Sequence, residues 1–260
     1  MAAQETIVSL DRVGKTYTTA KKETITVMED ISLNIQKQSF VVILGPSGCG
    51  KSTLLKMIMG LESYSKGEIR VHGKRVNEPM SDIGIVFQKP ALVPWRNVLE
   101  NVLLPIEILG QSKRDHIQKA RDLIALAGLA GFDRKYPHEL SGGMQQRVSI
   151  IRALMHDPSL LLLDEPFGAL DEITREKMGT ELLNIWEKTH QTMLLVTHSI
   201  SEAVFLGDRV LILSPRPAKV VDDLIIDIKR PRGVHTRGEE SFVEFCQIAR
   251  EKLGLASDSA

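Results

Sequence analysis

One nine-residue segment constrains the fold of this chain more than any other part of it, namely Gly45-Pro46-Ser47-Gly48-Cys49-Gly50-Lys51-Ser52-Thr53. The apolar run 40–44 before it predicts a buried strand, and residues 52–59 after it predict a helix that ends at Gly60. Glycines between a strand and a helix let several N–H groups point at one anion, beside the positive end of the helix dipole. The pattern therefore predicts a phosphate-binding loop, in which Lys51 reaches the outer phosphates of a nucleotide and Ser52 holds Mg²⁺.

Composition narrows the class of protein. The 260 residues are 43% apolar and 25% charged, which is ordinary for a globular chain with a substantial core. The formal net charge of zero argues against a dedicated nucleic-acid binder, so we expect no nucleic-acid partner. Two cysteines, Cys49 and Cys246, make a disulfide scaffold improbable and favour a reducing compartment. The first residues lack the pattern of a secretory signal, and no apolar run is long enough to span a bilayer, so other chains must do any spanning.

Apolar periodicity predicts an α/β protein with an extra helical part. Strands are expected over 6–10, 25–28, 31–35, 67–72, 83–87, 160–163, 193–197, 210–213 and 220–228. Helices are expected throughout most of 90–158, and over about 172–190 and 239–253. Ser112 and Asp115 resemble a capping box for a helix that ends at Gly128, and another helix follows the turn at 141–143. The helical part looks like an insertion into an α/β sheet.

Two adjacent acids end the apolar strand at 160–163. Open α/β sheets place their chemistry at the carboxyl ends of such strands. Asp164 can anchor the coordination shell of Mg²⁺, and Glu165 can act as general base on an attacking water. An ordinary polar turn is the alternative for these two residues on their own, but it becomes improbable after a phosphate-binding loop.

Three motifs in order resemble the ATPase subunits of ATP-binding cassette (ABC) transporters over nearly the whole chain. They are the phosphate-binding loop, the segment Leu140-Ser141-Gly142-Gly143-Met144-Gln145-Gln146-Arg147, and the acids in Leu162-Leu163-Asp164-Glu165-Pro166. The resemblance implies a P-loop ATPase core with an N-terminal antiparallel β part and an inserted helical subdomain, forming one ABC ATPase domain over 1–260. Within it we expect a nucleotide-binding core at 1–88 and 159–235, a helical subdomain at 89–158 and a C-terminal helix at 236–260.

The resemblance also assigns roles to isolated residues. Gln88 matches the glutamine that touches Mg²⁺ and water, Asp171 matches the acidic residue of a loop at the dimer interface, and His198 matches the histidine that contacts the γ-phosphate. Tyr17 matches the aromatic residue that stacks on adenine. Each has a simpler alternative, since Gln88 can be a surface residue, His198 a polar strand end and Tyr17 a packing residue. The ordered context favours the functional reading of Gln88 and His198.

The segment at Ser141, Gly142 and Gly143, here called the signature segment, implies a partner. Ser141 can donate its hydroxyl, and the two glycines let backbone N–H groups approach a phosphate. In the family, this surface contacts ATP held by the phosphate-binding loop of the opposite subunit. The resemblance therefore implies a two-fold dimer with a second copy or a paralogous ATPase. Met144 departs from the commonest family residue, glutamine, and we expect closure of the dimer to survive this change.

The loop after Gln88 and the tail at 214–232 resemble importer ATPases for nitrate, sulfonates and taurine. This resemblance implies an ATPase at the cytoplasmic face of the inner membrane, with separate permease subunits and, indirectly, a solute-binding protein as partners. Trp95 suits a groove for a permease helix, and packing within the helical region is its alternative. Three alternative hypotheses remain for the function. They are an exporter or lipid-transport ATPase, a non-transport ABC ATPase and a regulatory binding module. Glu165 and His198 disfavour the last of these.

Overall fold

The computed structural model describes residues 5–258, of which 255–258 are described by their backbone alone. Its strands are β1 (Thr6–Thr18), β2 (Thr24–Gln36), β3 (Phe40–Leu44), β4 (Lys66–Val71), β5 (Lys74–Arg75), β6 (Ile83–Val86), β7 (Leu160–Asp164), β8 (Thr192–Thr197), β9 (Arg209–Leu213) and β10 (Val220–Ile225). Its α-helices are α1 (Lys51–Ile58), α2 (Val98–Val102), α3 (Leu104–Ile108), α4 (Lys113–Leu126), α5 (Gly142–Leu154), α6 (Glu172–Thr189), α7 (Ile200–Leu206) and α8 (Glu240–Asp258). Short 3₁₀ turns lie at Pro137–Glu139 and Val234–Gly238.

The chain folds into two units, and the first contains the described residues up to Ser81 and from Thr192 onward. An antiparallel sheet in the order β2-β1-β4-β5 forms one part of this unit. In the other part β3 lies between β8 and β9 and runs parallel to both, and β10 pairs antiparallel with β9. Every residue of β3 and β8 is buried, as a parallel strand covered on both faces requires. The predicted α/β class with an N-terminal antiparallel part is confirmed.

The second unit spans Asp82–Gln191. It holds the parallel pair β6 and β7 and the helices α2 to α6. The apolar faces of α4 and α5 are buried as their helical spacing predicts, and β7 is buried from Leu160 to Leu163. The helical character expected for 90–158 is therefore confirmed, whereas the proposed subdomain boundaries at 89–158 and 236–260 stay a prediction.

The two separate strands expected at 25–28 and 31–35 are one strand in the structure, which corrects the sequence interpretation. Asp30 takes a left-handed backbone conformation, with φ of 57°, and shifts the register of β2 without ending it. Arg12 does the same in β1, with φ of 47°, so that each strand carries one extra residue at this point. These two bulges compensate each other, and despite two further register shifts the pairing continues to Thr18 opposite Thr24.

The expected capping box at the start of α4 is also wrong. Ser112 occupies the N-cap position, but its side chain makes no capping hydrogen bond. The reciprocal pair of bonds occurs instead at α2, between Asn97 and Glu100. The signature segment differs in a smaller way from its expected turn, because α5 already begins at Gly142.

Candidate functional site

The loop at 45–53 connects the buried strand β3 to α1 in the first unit. Gly50 caps the helix with φ of 119°, a backbone conformation that residues with a side chain rarely adopt. A Cβ at this position would lie 2.6 Å from Val27 Cγ1. No side chain makes a capping hydrogen bond at the N-terminus of α1, which is the positive end of the helix dipole. This cradle suits an anionic ligand, as the motif predicts.

Lys51 lies inside the loop with 4% of its surface exposed. Its Nζ donates hydrogen bonds to the carbonyl oxygens of Gly45 at 2.9 Å and Pro46 at 3.0 Å. The ammonium group is therefore held in the concave side of the loop. Cys49 is buried beside it, and burial raises the pKa of its thiol, which favours the protonated form at neutral pH.

Sheet register brings His198 to the same loop. Leu44 pairs with Thr197 in parallel, so the residues that follow β3 and β8 leave the sheet at one edge. The N–H of Gly45 donates to the carbonyl oxygen of Thr197 at 3.3 Å. His198 is exposed directly after this contact. The histidine and the phosphate-binding loop are thus neighbours in the first unit.

The segment that follows His198 is fixed by polar contacts. The hydroxyl of Thr197 donates to the buried carboxylate of Glu202 at 2.6 Å and accepts from the N–H of Ser199 at 3.0 Å. Ser199 in turn caps α7. Sequence periodicity missed this helix because it is only seven residues long, although Ser199 with Glu202 three residues later matches the start signal of a helix.

Arg232 is a second feature that the sequence reasoning missed. Its guanidinium is buried and donates to the carbonyl oxygens of Val204, Phe205, Gly207, Ile226 and Ile228. Burial lowers its pKa to about 10, which still leaves it charged at neutral pH. The tail thereby holds the carboxyl end of α7, the helix that begins two residues after His198.

Tyr17 lies near the end of β1 and is 37% exposed. It is carried on the hairpin of β1 and β2, whose Val27 lies against Gly50 of the loop. The side chain is therefore neither fully packed nor remote from the loop. The first unit thus brings together three sites that the sequence predicted, namely the loop, His198 and the hairpin of Tyr17.

In the second unit, Asp164 ends β7 and Glu165 follows it, both half-buried. Glu165 has φ of 45°, a left-handed conformation that is uncommon for a residue other than glycine and often marks functional turns. Val86 pairs with Leu163 in parallel, so Gln88 leaves β6 at the same sheet edge. A Cβ on Gly168 would lie 2.9 Å from the Gln88 amide nitrogen, so this side chain touches the turn after Glu165.

The signature segment lies at the start of α5, also in the second unit. Ser141 is the N-cap, and its Oγ accepts from the N–H of Met144 at 3.3 Å. The hydroxyl can still donate its proton, since a hydroxyl both donates and accepts. Ser141 and Gly142 are exposed, whereas a Cβ on the buried Gly143 would lie 3.2 Å from the Thr174 methyl group. Thr174 belongs to α6, so the segment needs a small residue there.

Asp171 caps α6 beside the signature segment. Its carboxylate accepts from the N–H of Thr174 at 3.0 Å, and hydrogen bonds from the Thr174 side chain and backbone lower its pKa. A Cβ on Gly142 would lie 3.8 Å from Leu170, the residue before Asp171. The second unit thus places the signature segment next to the loop of Asp171.

Trp95 follows Gln88 in the second unit and is 76% exposed. Packing of its ring inside the helical region, the simpler alternative, is therefore wrong. Phe87 and Ile108 in the same stretch are also exposed. No helix among the described residues is both long and apolar enough to cross a bilayer. Within residues 5–258 there is also no cluster of three or more His, Cys, Asp or Glu side chains suited to a metal ion.

The chain is similar to known proteins over most of its length. A family model described as ABC transporter matches residues 28–168. A taurine import ATP-binding protein of Rhizobium johnstonii is 45% identical over 224 residues, covering 86% of each chain. An aliphatic sulfonates import ATP-binding protein of Bacillus cereus is 44% identical over 237 residues, covering 91% of this chain and 92% of its own.

Solved structures agree at the level of the fold. An ATP-binding cassette solved as a dimer in a post-hydrolysis state, bound to ADP and phosphate, has a TM-score of 0.73 and is 34% identical. The match covers 86% of this chain and all of that one.

Proposed function

This chain belongs to the ABC transporter family, and we propose that it is the ATP-hydrolysing subunit of an importer for small sulfonates or similar anions. The observation that carries the proposal is the loop cradle with buried Lys51, set beside His198 at one sheet edge. The direction of transport and the substrate class are inferred from the names of two relatives, which are described as import ATP-binding proteins for taurine and for aliphatic sulfonates.

We assign the loop residues Gly45 to Thr53 to the phosphates of ATP. Lys51 already has its ammonium group inside the cradle and would exchange carbonyl partners for phosphate oxygens. Gln88, Asp164 and Ser52 would hold Mg²⁺, which neutralises charge on the phosphate oxygens. Magnesium is usually held by one or two carboxylates together with substrate phosphates.

Glu165 is proposed as the general base for the attacking water, with Gln88 positioning that water and His198 contacting the γ-phosphate. Glu165 and Gln88 leave neighbouring strands at one edge of the second unit, which suits a shared task. General-base catalysis by a positioned carboxylate contributes about 10²- to 10⁴-fold to a rate. Tyr17 is proposed to stack on adenine, because its ring is partly exposed on the hairpin beside the loop.

A second copy is proposed to complete each site. Ser141 and Gly142 are exposed at the start of α5, so they can reach the phosphates of ATP held by a partner's loop. ATP binding then favours the closed dimer, and hydrolysis releases it, by differential affinity for the two states. The dimeric cassette among the related structures supports this arrangement.

We further propose that the exposed stretch around Trp95 receives a cytoplasmic helix of a permease. Trp95, Phe87 and Ile108 are each exposed, and exposed apolar side chains are what a helix-in-groove contact uses. The protein would then work as a peripheral subunit at the cytoplasmic face of the inner membrane, with a solute-binding protein outside.

Growth tests the substrate class. A host that lacks this chain is grown with taurine or an alkanesulfonate as its only sulfur source, with sulfate as the control. We expect growth to fail on at least one sulfonate and to return with the wild-type chain but not with the Glu165→Gln chain. Normal growth of the deletion host on every sulfonate, where no second importer is present, would exclude this substrate class.

A further inference from the structure

Lys15 is buried on β1, two residues before Tyr17, with 5% of its surface exposed. Residues two apart on a strand share a face, and the Lys15 Nζ lies 4.6 Å from the centroid of the Tyr17 ring. A cation within about 6 Å of an aromatic centroid is attracted by the electron density of the ring face. One face of the Tyr17 ring is therefore occupied by a buried charge.

Two further contacts fix the ammonium group of Lys15. Its Nζ donates to Glu62 Oε1 at 2.7 Å and to the carbonyl oxygen of Ser63 at 2.5 Å. The hydrogen bond from Lys15 lowers the pKa of Glu62, and Tyr17 lowers it further. Glu62 is therefore ionised at neutral pH, and the buried charge of Lys15 is paired. Lysine, tyrosine and glutamate form one connected group.

This group ties the two parts of the nucleotide cradle together. Glu62 and Ser63 come shortly after α1, the helix that begins in the phosphate-binding loop, whereas Lys15 and Tyr17 belong to β1. The ring of Tyr17 is thus held in place by the segment that follows the loop helix. A site with a ring that is already fixed binds its ligand more tightly than a site with a mobile ring, because no ordering of the ring is needed on binding.

We propose that Lys15 is a positioning residue that makes Tyr17 a platform for the adenine base. Lys15 fixes the ring from one face and draws electron density toward its charge. The opposite face then repels the electron-rich face of adenine less and stacks on it better. This inference rests on the proposed role of Tyr17 in ATP binding, and it adds that the affinity for the base depends on a buried cation beneath the ring.

Tripolyphosphate separates this role from a merely structural one, because it carries the phosphates of ATP without the base. Calorimetric titration of the full chain with each ligand, in the presence of Mg²⁺, gives the two dissociation constants. We expect Tyr17→Ala to weaken ATP binding about 5- to 100-fold, from the usual strength of base stacking. Lys15→Met should weaken it about 3- to 10-fold. Neither substitution should change the affinity for tripolyphosphate by more than twofold.

Matched variants separate the effect of the positive charge of Lys15 from the effect of its packing and hydrogen bonds. Lys15→Arg keeps a cation under the ring and should bind ATP within about twofold of the wild type. Lys15→Gln keeps a donor for Ser63 but removes the charge, so it should behave like Lys15→Met and serves in its place if that variant does not fold. Glu62→Gln keeps Lys15 beneath the ring and should have a smaller effect than either. Adding Lys15→Met to Tyr17→Ala should cause no further loss.

Several outcomes would overturn the proposal. Wild-type ATP affinity in both Lys15→Met and Lys15→Gln would do so while leaving Tyr17 as the platform. Equal weakening of ATP and tripolyphosphate by these variants would reduce Lys15 to a structural tie between β1 and the segment after α1. Wild-type ATP affinity in Tyr17→Ala would overturn this inference together with the proposed adenine site.

Discussion

The phosphate-binding loop and the signature segment both precede a helix, yet they are built in different ways. The loop encloses its own cation, since Lys51 is buried and bonded to the carbonyl oxygens of Gly45 and Pro46. The signature segment is open, because Ser141 and Gly142 are exposed at the start of α5. A region that already contains a held cation can bind a nucleotide by itself. A region that offers a hydroxyl and a helix N-terminus at the surface is suited to a nucleotide held by another copy.

Substitution within the phosphate-binding loop should abolish the binding of ATP itself. Lys51→Ala removes the ammonium group from the cradle, and we expect ATP affinity to fall at least about 100-fold, since charge-assisted contacts to phosphate are among the strongest hydrogen bonds. Hydrolysis should be lost with it. Titration with ATP measures the affinity, and Lys56→Ala, an exposed lysine on the same helix, is the control. Wild-type affinity in Lys51→Ala would contradict the role of the loop.

Substitution of the proposed base should separate binding from hydrolysis. Glu165→Gln keeps the shape of the side chain but removes the base, so we expect hydrolysis to fall about 10²- to 10⁴-fold. ATP affinity should stay within a few-fold of the wild type. Phosphate release and ATP titration measure the two quantities. Glu172→Gln, an exposed acid at the first position of α6, provides the matched control. Normal hydrolysis in Glu165→Gln would remove it from the proposed mechanism.

The signature segment should matter for hydrolysis without mattering for binding to one copy. Ser141→Arg places a bulky side chain at the exposed N-cap of α5, and we expect hydrolysis to fall at least about tenfold while ATP still binds. Ser112→Arg makes the same change at the exposed N-cap of α4 and should leave hydrolysis unaltered. Hydrolysis at the wild-type rate in Ser141→Arg would exclude the signature segment from the site of hydrolysis.

Trp95→Ala should have the smallest effect of these substitutions on the purified chain. Because Trp95 is 76% exposed and far in sequence from the loop, we expect unaltered hydrolysis and unaltered thermal stability in the isolated protein. Uptake by cells that contain the permease should nevertheless fall. Equal loss of hydrolysis in the isolated chain would place Trp95 in the nucleotide site instead of a docking surface.

Local motifs could be predicted from the sequence because the residues that form them lie close together in the chain. The loop, the strand that ends at Asp164 and the helices of the middle region all follow from short patterns. The reason for Gly50, by contrast, became visible only with Val27 against it, 23 positions earlier in the chain. Lys15 was missed for the same reason, since its partners Glu62 and Ser63 come from a distant segment.

Other failures came from features that patterns describe poorly. Ser112 satisfies the capping pattern, but the pattern fixes the residue types and not the rotamer that makes the bond. The bulge at Asp30 interrupts the alternation of β2, so the sequence pattern predicts two strands where the structure has one. The bulge at Arg12 interrupts β1 in the same way, directly after the predicted strand 6–10. Arg232 was invisible as a buried contact because arginine is usually exposed.

In the proposed dimer, ATP joins two copies through the loop of one and the signature segment of the other. The mass of the Glu165→Gln protein in solution, measured by light scattering with and without MgATP, tests this arrangement. We expect a monomer without nucleotide, a stable dimer with MgATP, and a monomer under both conditions once Ser141→Arg is added. A dimer that forms equally well with Ser141→Arg, or a Glu165→Gln protein that binds MgATP and stays monomeric, would contradict it.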